Sequence, residues 1–318
     1  MDLTGWTPIY ASLASRRLLL DWAYTGHRRF TEPFFGDTID HVLRDPAALL
    51  FRLRATLEEA AECSRHTPGL PPAAFVFHMS RCGSTLVAQM LAALPQNRVL
   101  SEPTPLNALF RAALLDAAIP RATLVHWLRT LLNLLARPLP GETRCFVKFD
   151  CWHTLALPLI VEAFPATPWI FLYRDPAQVL VSQARSPGAW SVSSALDPAV
   201  FGFPRRQVLA MHRHEYLARA LACICDAALQ HRHCGRGLFV NYDELPEFVS
   251  GPLLRHAGIE LSPQDLERLR AASHSDAKNP TLAFSDDRAS KRAAVTPALQ
   301  SLIDCWLSPR FERLNAAR

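Results

Sequence analysis

A chain of 318 residues is long enough for a substantial core, as one large domain or two small ones. Its 49% apolar and 20% charged residues are those of a globular protein. A net charge of +5, from 34 basic and 29 acidic residues without a basic block, suits a small anionic ligand and argues against nucleic acid.

Arg16-Arg17 and Asp21 interrupt the first apolar stretch, so no secretory leader is expected. No apolar run approaches the ~20 residues of a membrane helix. Eight cysteines without framework spacing read as reduced thiols, and the default expectation is a cytoplasmic enzyme.

Residues 1–72 read as a helical N-terminal cap, with Leu18-Leu19-Leu20, Trp22 and Ala47 to Ala61 as amphipathic pieces around an aromatic patch from Phe30 to Phe35. Pro68-Gly69-Leu70-Pro71-Pro72 closes that segment. Within 73–318, short apolar runs then alternate with helical patterns. The expected strands are Ala73–His78, Arg98–Ser101, Arg144–Phe149, Pro168–Tyr173 and Gly237–Tyr242, and helical patterns cover about 84–94, 105–136, 154–164, 176–184, 206–231 and 295–306. This alternation predicts a three-layer α/β fold around a five-stranded parallel sheet. The Pro- and Ser-rich stretch Ser186–Pro204 is too long for a connector and is a candidate active-site lid.

Two motifs carry chemistry. The first is the loop Ser80-Arg81-Cys82-Gly83-Ser84-Thr85, between the first of these strands and a helix. That order aims helix N-terminal amides and the positive end of the helix dipole at the loop, which makes an anion site. A nucleotide kinase would carry Gly-x-x-x-x-Gly-Lys-Ser/Thr, but His78 stands at the first glycine and Ser84 at the lysine. Cys82 sits where helix-end amides lower a thiol's pKa. The second motif places Arg174 at a strand end, Asp175-Pro176 at a helix start and Ser182 about two turns further on, a pair suited to one phosphate.

Together these residues resemble the sulfotransferase family. The loop is similar to its 5′-phosphosulfate loop, and Arg174 and Ser182, eight positions apart, are similar to its 3′-phosphate pair. The spacing is closest to the protein-tyrosine sulfotransferase-like branch and its bacterial relatives. In that branch a catalytic glutamate lies 21 residues after the loop arginine, as Glu102 does after Arg81. Its catalytic lysine lies 26 residues before the 3′-phosphate arginine, as Lys148 does before Arg174. Tyr242-Asp243-Glu244-Leu245, and Ser285 with Lys291, resemble further nucleotide-contacting segments, and the likeness spans about 73–306.

The resemblance implies a P-loop nucleoside-triphosphate-hydrolase-like fold. It also implies transfer of a sulfuryl group from 3′-phosphoadenosine 5′-phosphosulfate (PAPS) to a hydroxyl or amine, with no metal required. Glu102, Lys148 and Arg81 would be catalytic. Arg81, Cys82, Gly83, Ser84, Thr85, Arg174, Ser182, Tyr242, Ser285 and Lys291 would hold the donor, and the family's small residue at the Cys82 position makes its thiol incidental. Asp150 and His153 are rival bases. A phosphotransferase on the same fold and a non-catalytic nucleotide-binding regulator are the competing functions. The tyrosine sulfotransferases follow their glutamate two positions later with an arginine aimed at acidic peptides, whereas Pro103-Thr104-Pro105 follows Glu102. The expected acceptor is therefore a small molecule, lipid or glycan, and a homodimer is compatible with the sequence.

Overall fold

The computed structural model describes residues 2–192, 195–279, 282 and 287–318. Five strands form the central sheet: β4 (Pro72–His78), β5 (Asn97–Ser101), β6 (Arg144–Lys148), β7 (Pro168–Tyr173) and β8 (Arg236–Asn241). Their order is β5-β6-β4-β7-β8 and every pairing is parallel. The three central strands are buried almost throughout, and Phe75, Phe77, Phe146, Trp169 and Phe171 are each no more than 1% exposed. A strand covered on both faces needs continuous rather than alternating apolar residues, which is why these runs were readable as strands.

The connection from β4 through the helix Ser84–Ala92 runs toward the β5 edge, and every later connection runs toward the β8 edge. With right-handed crossovers, this reversal puts Ser84–Ala92 on one face and the later crossover helices on the other. It also opens a crevice at the carboxyl ends of the strands. Residues 105–136, expected as one helix, form two, Leu106–Leu115 and Arg121–Leu135, because Asp116–Pro120 breaks the run.

The helical expectation for residues 1–72 is corrected. The segment carries an antiparallel sheet of β1 (Trp6–Ala14), β2 (Arg17–Tyr24) and β3 (Leu53–Thr56), in that order. Its helices, Phe35–Val42, Pro46–Leu50 and Leu57–Cys63, are short. Leu18, Leu20 and Trp22 are fully buried, a period of two that Leu19 and Ala23 disguise in the sequence. The β1–β2 turn is made by Ser15 (φ 48°) and Arg16 (φ 57°), left-handed at both positions as a tight hairpin requires. Without the usual Asn-Gly or Asp-Gly, that turn left no signal. Asp21 accepts from Arg54 Nε and Nη2 at 2.5 and 3.0 Å, tying β2 to β3. The apolar side of this sheet joins the same continuous core as the parallel sheet.

One glycine in the parallel sheet is fixed by its neighbour. Gly237 pairs with Trp169 across β7–β8, and a Cβ there would lie 2.1 Å from the indole. Gly237→Ala should lower stability by about 1–3 kcal/mol through overpacking, measured as a smaller unfolding free energy in urea with an unchanged denaturant slope.

Candidate active site

All five parallel strands deliver a residue to one cleft of about 590 Å³ at their carboxyl ends. His78 ends β4 and the loop follows it, Glu102 follows β5, and Asp150 follows β6, with Lys148, the last residue of β6, buried beside Glu102. Arg174 follows β7 and Tyr242 follows β8.

The loop after β4 is left-handed at Ser80 (φ 74°), Arg81 (φ 52°) and Gly83 (φ 85°). For the two non-glycine residues this conformation is costly, and surrounding bonds enforce it. Ser80 N–H donates to His78 Nδ1 at 3.0 Å, Gln183 Nε2 donates to Ser80 Oγ at 2.7 Å, and Met79 N–H reaches the Leu172 carbonyl at 3.0 Å. At Gly83 a Cβ would meet Leu245 at 2.7 Å and the Tyr242 ring at 2.8 Å, so only glycine fits. Gly83 caps the helix Ser84–Ala92 without a side-chain hydrogen bond, which leaves its first amides for an anion in the cleft.

The Cys82 side chain turns away from the cleft, and its thiol donates to the Leu172 carbonyl at 3.1 Å. Burial pushes it up to about 12, the reverse of the lowering expected from the helix end. Only the Cys82 backbone is available to an anion. The Arg81 guanidinium crosses the cleft to donate to the Ser186 carbonyl and, at 3.0 Å, to Ser186 Oγ. Ser186, Gly188, Ala189 and Trp190 form that wall, so the start of the Ser186–Pro204 stretch does border the site.

Arg174 is 6% exposed, and its guanidinium lies 3.8 Å from the centre of the Tyr242 ring while Nε donates to Gln178 Oε1 at 2.7 Å. Its Nη2 is buried without a hydrogen-bond partner, with Asp287 Oδ1 3.6 Å away. Lys291 Nζ pairs with Asp287 Oδ2 at 2.6 Å. Ser182 and Lys291 line the same part of the cleft, and Ser285 lies outside the described residues.

Glu102 and Lys148, 46 residues apart in sequence, meet through strand register. Ser101 lies opposite Lys148 in the β5–β6 pairing, and Glu102 N–H donates to the Lys148 carbonyl at 2.7 Å. Glu102 itself is left-handed (φ 56°), which turns its carboxylate back toward the strand ends. Lys148 Nζ donates to Glu102 Oε1 at 2.6 Å and to Ser101 Oγ at 3.4 Å, and lies 4.7 Å from the centre of the Phe34 ring. Although burial opposes ionisation, the Lys148 charge holds Glu102 well below the usual carboxylate range. Phe34 belongs to the aromatic patch of the N-terminal segment, anchored where Ser101 Oγ donates to the Pro33 carbonyl at 2.8 Å.

The two rival bases differ. His153 is fully buried between Phe110 and Trp152. Its Nε2 lies 2.9 Å from Asn107 Oδ1, its Nδ1 accepts from Asp150 N–H at 3.3 Å, and burial pushes it down to about 3. It does not border the cleft and is a core residue. Asp150 does border the cleft while capping Cys151 N–H at 2.7 Å and accepting from Trp152 Nε1 at 3.1 Å. Burial and the Glu102 charge push it up to about 7.

Two cleft residues left little trace in the sequence. His78 stood out only as a departure from the kinase glycine. Lys278, on the Ser275–Lys278 wall, is lowered to about 8 by burial and by the Arg81 and Lys148 charges. Among the described residues, no group of three or more His, Cys, Asp or Glu side chains could hold a metal ion, and no helix is long and apolar enough to cross a membrane.

Comparison with known proteins gives this geometry a family. The model of the sulfotransferase family matches residues 72–262, more than half of the chain. The chain belongs to the sulfotransferase family. Solved structures with a similar fold include a sulfotransferase from Mycobacterium avium, at 15% identity and TM-score 0.49, covering 80% of this chain and 81% of that one. A mouse sulfotransferase complexed with PAP matches at 13% identity and TM-score 0.46, covering 82% and 91%. The sulfotransferase domain of the Synechococcus olefin synthase matches at 18% identity and TM-score 0.44, covering 78% and 95%. No curated protein sequence matches the chain. The family's chemistry is sulfuryl transfer, so the cleft is the place to look for donor and acceptor sites.

Asp150 makes this cleft sensitive to pH. Its folded-state pKa lies above the unfolded value, so the protonated form is favoured by folding, and its contribution to stability is lost progressively as pH rises from the ordinary carboxylate range to about 7. Asp150→Asn should therefore gain in melting temperature relative to the parent as pH rises from about 4 to about 7, and the difference should level off above that. A constant difference across that range would show that Asp150 does not titrate there.

Proposed function

We propose that this sulfotransferase uses PAPS as donor and a hydroxyl group as acceptor, with Glu102 as general base and Lys148 and Arg81 on the leaving side. One juxtaposition carries the reading: Glu102, bonded to the buried Lys148, borders the same cleft as an open helix N-terminus and a buried Arg174 nitrogen with no hydrogen-bond partner. The last two features suit the two phosphate positions of this donor, and the first suits the bond being broken. In the transfer, Glu102 takes the acceptor proton as the oxygen–sulfur bond forms. The bond from sulfur to the 5′-phosphate oxygen breaks with its electron pair left on that oxygen. Lys148, Arg81 and the loop amides stabilise the charge that gathers there.

Arg174, Ser182, Tyr242 and Lys291 surround the position proposed for the 3′-phosphate. The backbone of Cys82 and Gly83, with Ser84 and Thr85, surrounds that of the 5′-phosphate. The acceptor side is bordered by Phe34, Leu86 and Trp190, a wall suited to the apolar body of a small molecule or lipid. Thr104, where the tyrosine sulfotransferases place an arginine, donates its hydroxyl to the Ile9 carbonyl at 2.8 Å and is not available to an acidic peptide.

Donor identity is tested by thermal shift. 3′,5′-Adenosine bisphosphate (PAP) should raise the melting temperature and Mg·ATP should not, and Arg174→Ala should remove most of the PAP shift while leaving that of adenosine 5′-phosphosulfate. Stabilisation by Mg·ATP alone would instead favour phosphoryl transfer.

The base is tested by Glu102→Gln. That variant should keep the PAP shift and lose about 10²–10⁴ in kcat, read as release of labelled sulfate from PAPS with water as acceptor. Unchanged kcat would reassign the base, with Asp150 next in line.

A further inference from the structure

Lys148 Nζ lies 2.6 Å from Glu102 Oε1, yet the reaction asks it to stabilise charge on the departing phosphate oxygen. Its three N–H donors point in different directions, so a move toward that oxygen lengthens the bond to Glu102, and while that bond is short it keeps the carboxylate a weak base. A base abandoned by its only aligned side-chain partner would lose its position at the moment of proton transfer.

His78 is built to prevent this. Its side chain is 5% exposed at the end of β4 and borders the cleft. Nδ1 accepts the Ser80 N–H at 3.0 Å, which leaves the proton of the neutral ring on Nε2. Nε2 is buried with no aligned hydrogen-bond partner, and the nearest carboxylate atom is Glu102 Oε1 at 3.4 Å. A fully buried N–H held 3.4 Å from a carboxylate but not bonded to it is a donor in reserve.

We infer that His78 is a positioning residue that takes over the Glu102 carboxylate through Nε2–H when Lys148 turns to the leaving oxygen. The inference rests on the assignment of Glu102 as base. Exchange of a charged partner for a neutral one keeps the carboxylate in place and raises its basicity, so the base gains strength only when the donor occupies Lys148. Burial keeps His78 neutral, as this role requires. Other titratable groups that interact with Glu102 are Lys148 from β6, Arg81 from the loop, Asp150, Cys151 and His153 after β6, and Lys278. None of these offers Glu102 a neutral ring N–H, since both nitrogens of His153 are engaged elsewhere.

The test uses His78→Phe, which keeps a ring and loses the donor, in the parent and in Glu102→Gln. Labelled PAPS with water as acceptor reports kcat, and PAP-induced thermal shift reports the donor site. Loss of a donor that favours the charged carboxylate raises its pKa, so the acid limb of the kcat profile should move up by about one pH unit and the plateau should fall about tenfold. His78→Gln, which retains a donor, should restore much of both. In the Glu102→Gln background His78→Phe should cost nothing further. An unmoved acid limb, or an equal loss in both backgrounds, would overturn the inference. Full activity of Glu102→Gln would instead overturn the base assignment beneath it. If His78→Phe no longer gains stability from PAP, His78→Asn, which keeps the bond to Ser80 without the Nε2 donor, carries the same expectations.

Discussion

The parallel register of β5 and β6 is the constraint on which the rest of the site depends. Because Ser101 sits opposite Lys148, the next residue on β5 meets the lysine's carbonyl and turns its carboxylate onto the lysine's amine. A slip of one residue would send Glu102 to the other face of the sheet. Breaking a buried ion pair of this kind by removing one partner typically costs about 3–5 kcal/mol. The pair is also sealed from outside the parallel sheet, since Phe34 covers the amine and Ser101 holds the Phe34 strap by its Pro33 carbonyl. The N-terminal segment and the Glu102–Lys148 pair are thus parts of one packed object.

The loop after β4 is organised by a different means. Left-handed backbone at Ser80 and Arg81 is unfavourable in isolation, at about 1–3 kcal/mol for each such residue. It persists because His78 and Gln183 bond the loop from below. The result is a preorganised concavity of amides, so little ordering remains to be done when an anion arrives.

Much of the parallel sheet was legible because doubly covered strands leave continuous apolar runs, such as Phe75–Phe77 and Trp169–Tyr173. The residues of the site were legible as intervals along the chain, 21 from Arg81 to Glu102 and 26 from Lys148 to Arg174. Their contacts were not, because register between β5 and β6 is set by packing rather than by local pattern. The N-terminal sheet was missed since Ser15-Arg16 makes a tight turn without turn residues and Leu18–Leu20 hides its alternation. The direction of the Cys82 thiol was not legible, because position in a loop does not reveal it, and the thiol points into the sheet. Asp150 and His153 look equivalent on the page of a sequence, yet one borders the cleft and the other has both ring nitrogens engaged in the core.

Asp287 gives the cleft a property of its own. It stands between Arg174 and Lys291, within 3.6 Å of one and 2.6 Å of the other, and so acts as an internal counter-ion. For the donor proposed above, an incoming phosphate would compete with a tethered carboxylate rather than with mobile salt. The charge change on binding is correspondingly smaller than the two cations alone would give, and ionic strength should weigh less on affinity than the basic character of the cleft suggests. For the donor proposed above, the same carboxylate would be at hand when the nucleotide leaves, so the two cations would keep a counter-ion at every stage. In that reading Asp287 favours release over retention while touching neither of the reacting atoms.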